Sequence, residues 1–313
     1  LSANAPLPDI GRVLRTPESR FAGLEDFPWP ARHDEVGGLR IASVDVGAAD
    51  APVVLLMHGE PTWSYLYRSM IPILLEAGLR AVAPDLVGFG RSDKPARAAD
   101  HTYARHVAWM SAWLDARDLR GITLFCQDWG SLIGLRMAAQ APQRFDRIVL
   151  ANGGLPTGSP PMPPAFRLWR TFARYSPWFP IGRIVAAGCA RGLDARARAA
   201  YDAPFPDRRY RVAARAMPAL VPAGPDDPEC AGNERAWSTF RTWDKPFLTL
   251  FSTRDPITRG GELPWQRQVP GAAGLPHRRI RGAGHFVQED AGPELARTIV
   301  ELVRTTPGAG GPG

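Results

Sequence analysis

Asp128 stands in Cys126-Gln127-Asp128-Trp129-Gly130, directly after the apolar run ITLF and ahead of an apolar helical pattern. A strand–carboxylate–helix turn of this kind suits a nucleophile. Small residues two positions either side avoid a clash, and the helix behind it offers a backbone N–H beside the carboxylate. An aspartate that merely caps the helix would occupy the same place, so this segment alone leaves that reading open. Two further segments bear on it. The run FLTLFSTRD ends on Asp255, and RIRGAGHFVQED sets His285 in a glycine-flanked loop. A histidine oriented by a buried acid is the usual means of taking a proton from water. Nucleophile, acid and histidine then follow the chain order 128, 255, 285. The run ending at Asn152-Gly153 offers no carboxylate, which leaves Asp255 as the candidate acid. After another strand-like run comes His58-Gly59-Glu60-Pro61-Thr62-Trp63. A turn-forming glycine there lets the Glu60 backbone N–H face the site, where with the N–H of Trp129 it would form an oxyanion hole. A contact from the Glu60 side chain to a hydrolytic water is a further expectation. His58 reads as a loop-stabilising residue rather than a second base.

These groups need a rigid frame. Short β-rich runs, VVLLMHG (53–59), RAVAPD (80–85), ITLFCQD (122–128), RIVLANG (147–153) and FLTLFSTRD (247–255), alternate with helical patterns at 103–118 and 131–142. Continuous apolar runs suit strands buried on both faces, and alternation with helices suggests a parallel sheet, whose ligands sit beyond the strands' carboxyl ends. The rhythm breaks after Gly154. Residues 155–229 are proline-rich, with short helical patterns at 164–176 and 194–202, and strand-like runs resume only at 247. The expected organisation is a core of 13–154 and 230–304, a helical cap of 155–229, and flexible termini at 1–12 and 305–313.

Composition narrows the class. The 313 residues are 45% hydrophobic and 22% charged, as in a globular protein able to bury a large core. The formal charge of +7 comes from basic residues scattered along the chain, and only Lys94 and Lys245 are lysines. Neither a nucleic-acid-binding motif nor an acidic partner is implied. Three cysteines, Cys126, Cys189 and Cys230, fit neither a disulfide framework nor a zinc site, which suggests a reducing, cytoplasmic compartment. No apolar stretch approaches the roughly 20 residues that span a membrane. The opening LSANAPLPDIG lacks the order of a secretory signal. The histidines form no ligand cluster, so no metal or organic cofactor is expected.

Taken jointly, HGEPTWSYLYR (58–68), PDLVGFGRSDKP (84–95), QDWGSLIGLR (127–136), YDAPFPD (201–207), WDKPFL (243–248) and GAGHFVQED (282–290) resemble haloalkane dehalogenases. The resemblance spans about residues 13 to 303 and is nearest the branch whose triad acid follows the later strand, as Asp255 does. It implies an α/β-hydrolase fold and a two-step reaction. Asp128 displaces halide to give an alkyl ester, and water activated by His285 hydrolyses it while Asp255 orients the ring. The partners implied are a haloalkane, a halide ion and water. The resemblance also implies two indole N–H donors for the halide, Trp129 and one from the cap. Trp169 is preferred to Trp178, which prolines flank. By similarity the pocket is lined by Leu132, Phe166, Met217, Pro218, Val221 and Ile257. Ser131 departs from the pattern, because many relatives carry a second glycine after Asp-Trp-Gly. In the first turn of a helix, serine should be tolerated.

Two other readings use the same residues. An epoxide hydrolase shares the Asp–His logic but activates oxygen with cap hydroxyls, usually two tyrosines, and Tyr175, Tyr201 and Tyr210 are available. A fluoroacetate-type enzyme would carry arginine where Trp129 stands. A ligand-binding protein on a hydrolase scaffold is the alternative outside catalysis.

Overall fold

The computed structural model describes residues 10–24, 26–159, 161–306 and 308. The strands, in chain order, are β1 (Val13–Leu14), β2 (Arg32–Val36), β3 (Leu39–Val46), β4 (Val53–Met57), β5 (Arg80–Pro84), β6 (Lys94–Pro95), β7 (Ile122–Gln127), β8 (Phe145–Ala151), β9 (Phe247–Ser252) and β10 (Arg278–Ile280). The α-helices are α1 (Ile71–Glu76), α2 (Tyr103–Ala116), α3 (Trp129–Gln140), α4 (Pro164–Tyr175), α5 (Ile181–Gly188), α6 (Ala195–Asp202), α7 (Val212–Leu220), α8 (Cys230–Phe240), α9 (Glu262–Gln268) and α10 (Val287–Thr305).

Among the described residues eight strands form one sheet in the order β10-β9-β8-β7-β4-β5-β3-β2. β10 through β5 run parallel, and β3 and β2 close the far side antiparallel. Every residue of β4, β7, β8 and β9 is buried, as expected of strands covered on both faces. β2, with the sequence RHDEV, is the opposite case: its mostly exposed, charged residues suit an edge that must not pair with another chain. The β2–β3 hairpin turns on Gly37 and Gly38, both at positive φ (55° and 76°), which a two-residue hairpin turn requires.

The helices follow their sequence signals. Thr102 caps α2, its hydroxyl accepting from Arg105 N at 3.2 Å, and Pro142 follows the end of α3. α3 begins at Trp129, two residues before the expected start, and is buried along most of its length. It packs between α2 and α8 and against β7. α4 to α7 lie between β8 and β9 in the chain, with α4 packed on α7 and α5 on α6. No helix among the described residues is long and apolar enough to cross a membrane.

Residues 1–9, 307 and 309–313, where flexibility is expected, lie outside the described residues. Arg12 O accepts from Ala96 N at 2.8 Å, and Arg147 Nε donates to Thr306 Oγ1 at 2.7 Å, so paired backbone and side chains reach into both expected tails. Both lysines are committed internally. Lys94 Nζ donates to Gly90 O and Ser92 O at 2.8 and 2.9 Å, and burial brings its ammonium down to about 7. Lys245 Nζ donates to Pro142 O and Phe145 O at 2.9 and 2.8 Å. Arg12, Arg208, Arg209, Arg211 and Arg215 line one groove of about 690 Å³. Arg211 and Arg215 donate to the carbonyls of Phe179 and Ser176 and so hold the turn between α4 and α5 in place.

Candidate active site

Five adjacent parallel strands each deliver one residue from a carboxyl end. In spatial order these are Glu60 after β4, Asp128 after β7, Asn152 after β8, Asp255 after β9 and His285 after β10. Asp128 has φ 51° and ψ −129°, a positive φ that costs a non-glycine residue energy and lifts its side chain off the strand line. Its neighbours permit the bend. A methyl on Gly130 would lie 2.0 Å from Met57 O, and one on Gly59 would lie 2.4 Å from Asp128 Oδ1. Both positions therefore need glycine.

Asp128 Oδ1 accepts from Glu60 N at 2.8 Å, and Oδ2 lies 3.3 Å from His285 Nε2. On the other side of the ring, Nδ1 donates to Asp255 Oδ2 at 2.9 Å. Asp255 also accepts from Ile257 N at 2.8 Å and from the Thr258 hydroxyl. Burial works against the Asp255 carboxylate, but the cationic ring and these donors outweigh it and hold the acid down at about 2. Burial likewise disfavours a charged His285, yet Asp255 and Asp128 together push it well above the ordinary histidine value. Asp255 is not on the strand itself, as the run FLTLFSTRD suggests. β9 ends at Ser252, and Thr253 N and Arg254 N donate to Ile280 O and Ala283 O, carrying the chain on beside the β10 segment.

Glu60 is 4% exposed, and its Oε1 has no hydrogen-bond partner. Burial and the charge of Asp128 raise its carboxyl far above the usual range, while the approaching indole N–H of Trp169 opposes the rise. Trp169 thus reaches the site from α4, stacked on Phe172 and Phe179 at 5.8 Å each. Trp178 is 58% exposed and lies under Arg183, turned to solvent rather than inward. Trp129 is buried at the start of α3, edge-on to Tyr103 at 5.2 Å. Of the expected lining, Leu132, Phe166, Met217 and Val221 are buried in the apolar cluster, Ile257 packs at its margin, and Pro218 is buried within α7. Phe166 precedes Trp169 by one turn on α4, which packs on α7, the helix of Met217 and Pro218. His58 is a satisfied core residue: Nδ1 donates to Gly59 O at 2.9 Å and Nε2 accepts from Leu86 N at 2.9 Å.

Some supporting residues lie outside the sequence-based set. Asn152 Nδ2 donates to Ser252 Oγ at 2.7 Å and to His285 O at 2.8 Å, while its Oδ1 accepts from Ser252 N. Gln127 Nε2 donates to His285 O at 3.3 Å. Ser131, tolerated as expected, also binds: Oγ donates to Asp128 O at 2.6 Å and accepts from Gly154 N at 2.9 Å. Behind Trp129 stand two buried, neutral imidazoles. His101 Nε2 donates to Pro95 O at 3.0 Å, so its Nδ1 accepts from His106 Nε2 at 3.2 Å. Burial lowers both. Among the described residues no group of His, Cys, Asp and Glu is arranged to hold a metal ion.

The family model described as alpha/beta hydrolase fold matches residues 52–292. A haloalkane dehalogenase of Mycolicibacterium paratuberculosis is 54% identical over 293 residues, covering 92% of this chain and 97% of that protein. One of Psychrobacter cryohalolentis is 48% identical, covering 95% and 99%. The chain belongs to the haloalkane dehalogenase family. Among solved structures of this family, that of DpaA from Paraglaciecola agarilytica NO2, titled as tetrameric, superposes with a TM-score of 0.87 at 34% identity, covering 92% of this chain and 97% of that one. Haloalkane dehalogenase DatA from Agrobacterium tumefaciens C58 gives 0.77 at 29% identity, covering 92% and 99%. The mostly parallel sheet with its flanking helices is accordingly an α/β-hydrolase fold.

Proposed function

We propose that this protein hydrolyses the carbon–halogen bond of haloalkanes to alcohol, halide and a proton, in two covalent steps at Asp128. The observation that carries this reading is the Asp128 carboxylate on its strained bend, with one oxygen on the Glu60 amide and the other facing His285. A carboxylate needs no base to attack carbon, and a halide needs no proton to leave. In the first step Asp128 Oδ bonds to the carbon, the carbon–halogen bond breaks, and the halogen departs as halide with the bonding electron pair. The indole N–H groups of Trp129 and Trp169 suit this anion because they donate without accepting and sit on apolar bodies. In the second step His285 takes a proton from water, and the hydroxide equivalent attacks the ester carbonyl. The oxyanion rests on the N–H groups of Glu60 and Trp129, and collapse releases the alcohol and restores the carboxylate. Asp255 holds the ring in the required tautomer and stabilises its cation. A neutral Glu60 carboxyl beside Asp128 fits a contact to the attacking water.

The core of 13–154 and 230–304 supplies the reacting groups in this reading, and the cap of 155–229 covers them. Leu132, Phe166, Met217, Pro218, Val221 and Ile257 form an apolar lining that keeps water from the first step. The epoxide alternative finds poor support in the cap. Tyr175 is 69% exposed, and the Tyr201 hydroxyl is spent on Glu289 of α10. Tryptophan at 129 disfavours the fluoroacetate type.

The test is His285→Phe treated with 1-bromobutane. One bromide per enzyme and one butyl increment on Asp128 are expected by ion chromatography and intact mass. Absence of the adduct, with turnover of styrene oxide by the parent protein, would overturn the reading.

A further inference from the structure

The loop that carries His285 is gripped from two sides. From the core, Asn152 and Gln127 hold the His285 carbonyl. From the cap, the end of α5 and the turn after it approach at backbone distance. His285 N donates to Gly188 O at 2.7 Å. The Asp290 carboxylate then ties the two segments together. Oδ2 accepts from Gly284 N and Ala190 N, each at 2.8 Å, and Oδ1 accepts from Arg191 N at 3.1 Å. The approach leaves no room for side chains. A methyl on Gly284 would lie 2.4 Å from Gly188 O, and one on Gly188 would lie 2.6 Å from the Phe286 ring. Charge-assisted bonds to amides are among the stronger ones, and three on one carboxylate fix both the residue before His285 and the cap turn.

We infer that Asp290 is a positioning residue that locks the His285 loop to the cap turn 188–191, so that activation of water depends on it while displacement of halide does not. The inference rests on the two-step reading proposed above. Asp128 takes its place from β7, Gly59 and Glu60, none of which touches Asp290, so the nucleophile keeps its geometry when the lock is cut. His285 must place Nε2 against a water and the ester carbonyl, and without Asp290 the grip on its loop from the 188–191 side falls to the Gly188 carbonyl alone. Misplacement of a reacting group by about 1 Å costs on the order of 100-fold in rate.

The experiment is rapid-quench and steady-state bromide release from 1-bromobutane by the full-length Asp290→Asn protein. The variant puts an amide N–H where one amide donor needs an acceptor. The expected result is a bromide burst of one per enzyme at a rate within about twofold of the parent, steady-state release slowed by about 10- to 100-fold, and butyl ester accumulating on Asp128. Asp194→Asn, which alters only the cap of α6, is the control and should leave both steps unchanged. A parallel fall in burst and steady-state rates, or no change in either, overturns the proposal. Should Asp290→Asn not fold, Asp290→Ala, which leaves space for water to take the three amides, is measured in the same way. If neither folds, Asp290 is a folding determinant and the proposal fails. Failure of the underlying reading is separate: the parent and His285→Phe would then show no burst and no adduct.

Discussion

His285 meets two carboxylates in the resting site, and the proposed first step removes the charge of one of them. With Asp128 and Asp255 both anionic, the ring is held well above its ordinary value despite burial. Esterification leaves Asp128 neutral and unable to favour the imidazolium, so the ring value must fall, toward the range where an unprotonated Nε2 can accept from water. The base form is the neutral one, so ester hydrolysis rises with pH through the lower, esterified value. The expected outcome is a single-turnover hydrolysis profile whose midpoint lies below the His285 ring titration of the resting enzyme followed by NMR. Coincident midpoints would show that Asp128 does not control the ring. At this scale the reacting groups were legible in the sequence, because Asp128, Asp255 and His285 are the rare residue types that do this chemistry, each beyond a strand-like run. Asn152 and Gln127 were not. Amides at strand ends carry no chemical signal, and their role appears only when β8 is seen between the strands that bear the two aspartates.

The elements set tolerances that single residues reveal. The loop after β4 passes so near the elbow that Gly59 has no space for a methyl, the nearest atoms being Asp128 Cβ and Oδ1 at 2.4 Å each. The neighbour is the nucleophile's own side chain, so Gly59→Ala should displace the carboxylate rather than unfold the sheet. We expect loss of at least about 100-fold in bromide burst rate with a thermal midpoint within a few degrees of the parent. A large fall in that midpoint would place the strain in the backbone instead. Strand identities in the core were readable because continuous burial leaves continuous apolar runs. Their ends were less so: Asp255 lies three residues beyond β9, because polar turn residues continue an extended path by bonding to the β10 segment. The β2–β3 hairpin escaped the runs, its edge strand being charged, although Gly37-Gly38 marks the turn. Between β8 and β9, the patterns at 164–176 and 194–202 became α4 and α6, whereas α5 and α7 left weaker traces, one short and one interrupted by Pro218.

For the whole molecule, a buried ion pair ties the segment after β4 to α10, and α6 adds a hydroxyl to it. Arg68 donates to both oxygens of Glu289 at 2.5 and 2.8 Å, and Tyr201 of α6 reaches the same carboxylate. Glu289 has a side chain only 5% exposed, so its charge relies on these partners. Removing one partner of a buried ion pair costs about 3–5 kcal/mol, largely through the stranded charge. Arg68→Ala is expected to lose that much in urea unfolding, and Arg68→Ala with Glu289→Gln to lose less. Equal losses would mean that the pair is not what stabilises this junction. Four arginines of one groove, Arg208, Arg209, Arg211 and Arg215, are already neighbours in the sequence, and folding adds only Arg12 from beside β1.

The two lysines turn their ammonium groups to backbone carbonyls, Lys94 fully buried and Lys245 half-buried. Reagents that couple through such amines, including activated esters and aldehyde resins, would find Lys94 closed to them and Lys245 only partly open while the protein stays folded. A fully exposed lysine added by substitution far from Trp169 would then be the favoured side-chain handle for fixing the enzyme to a support.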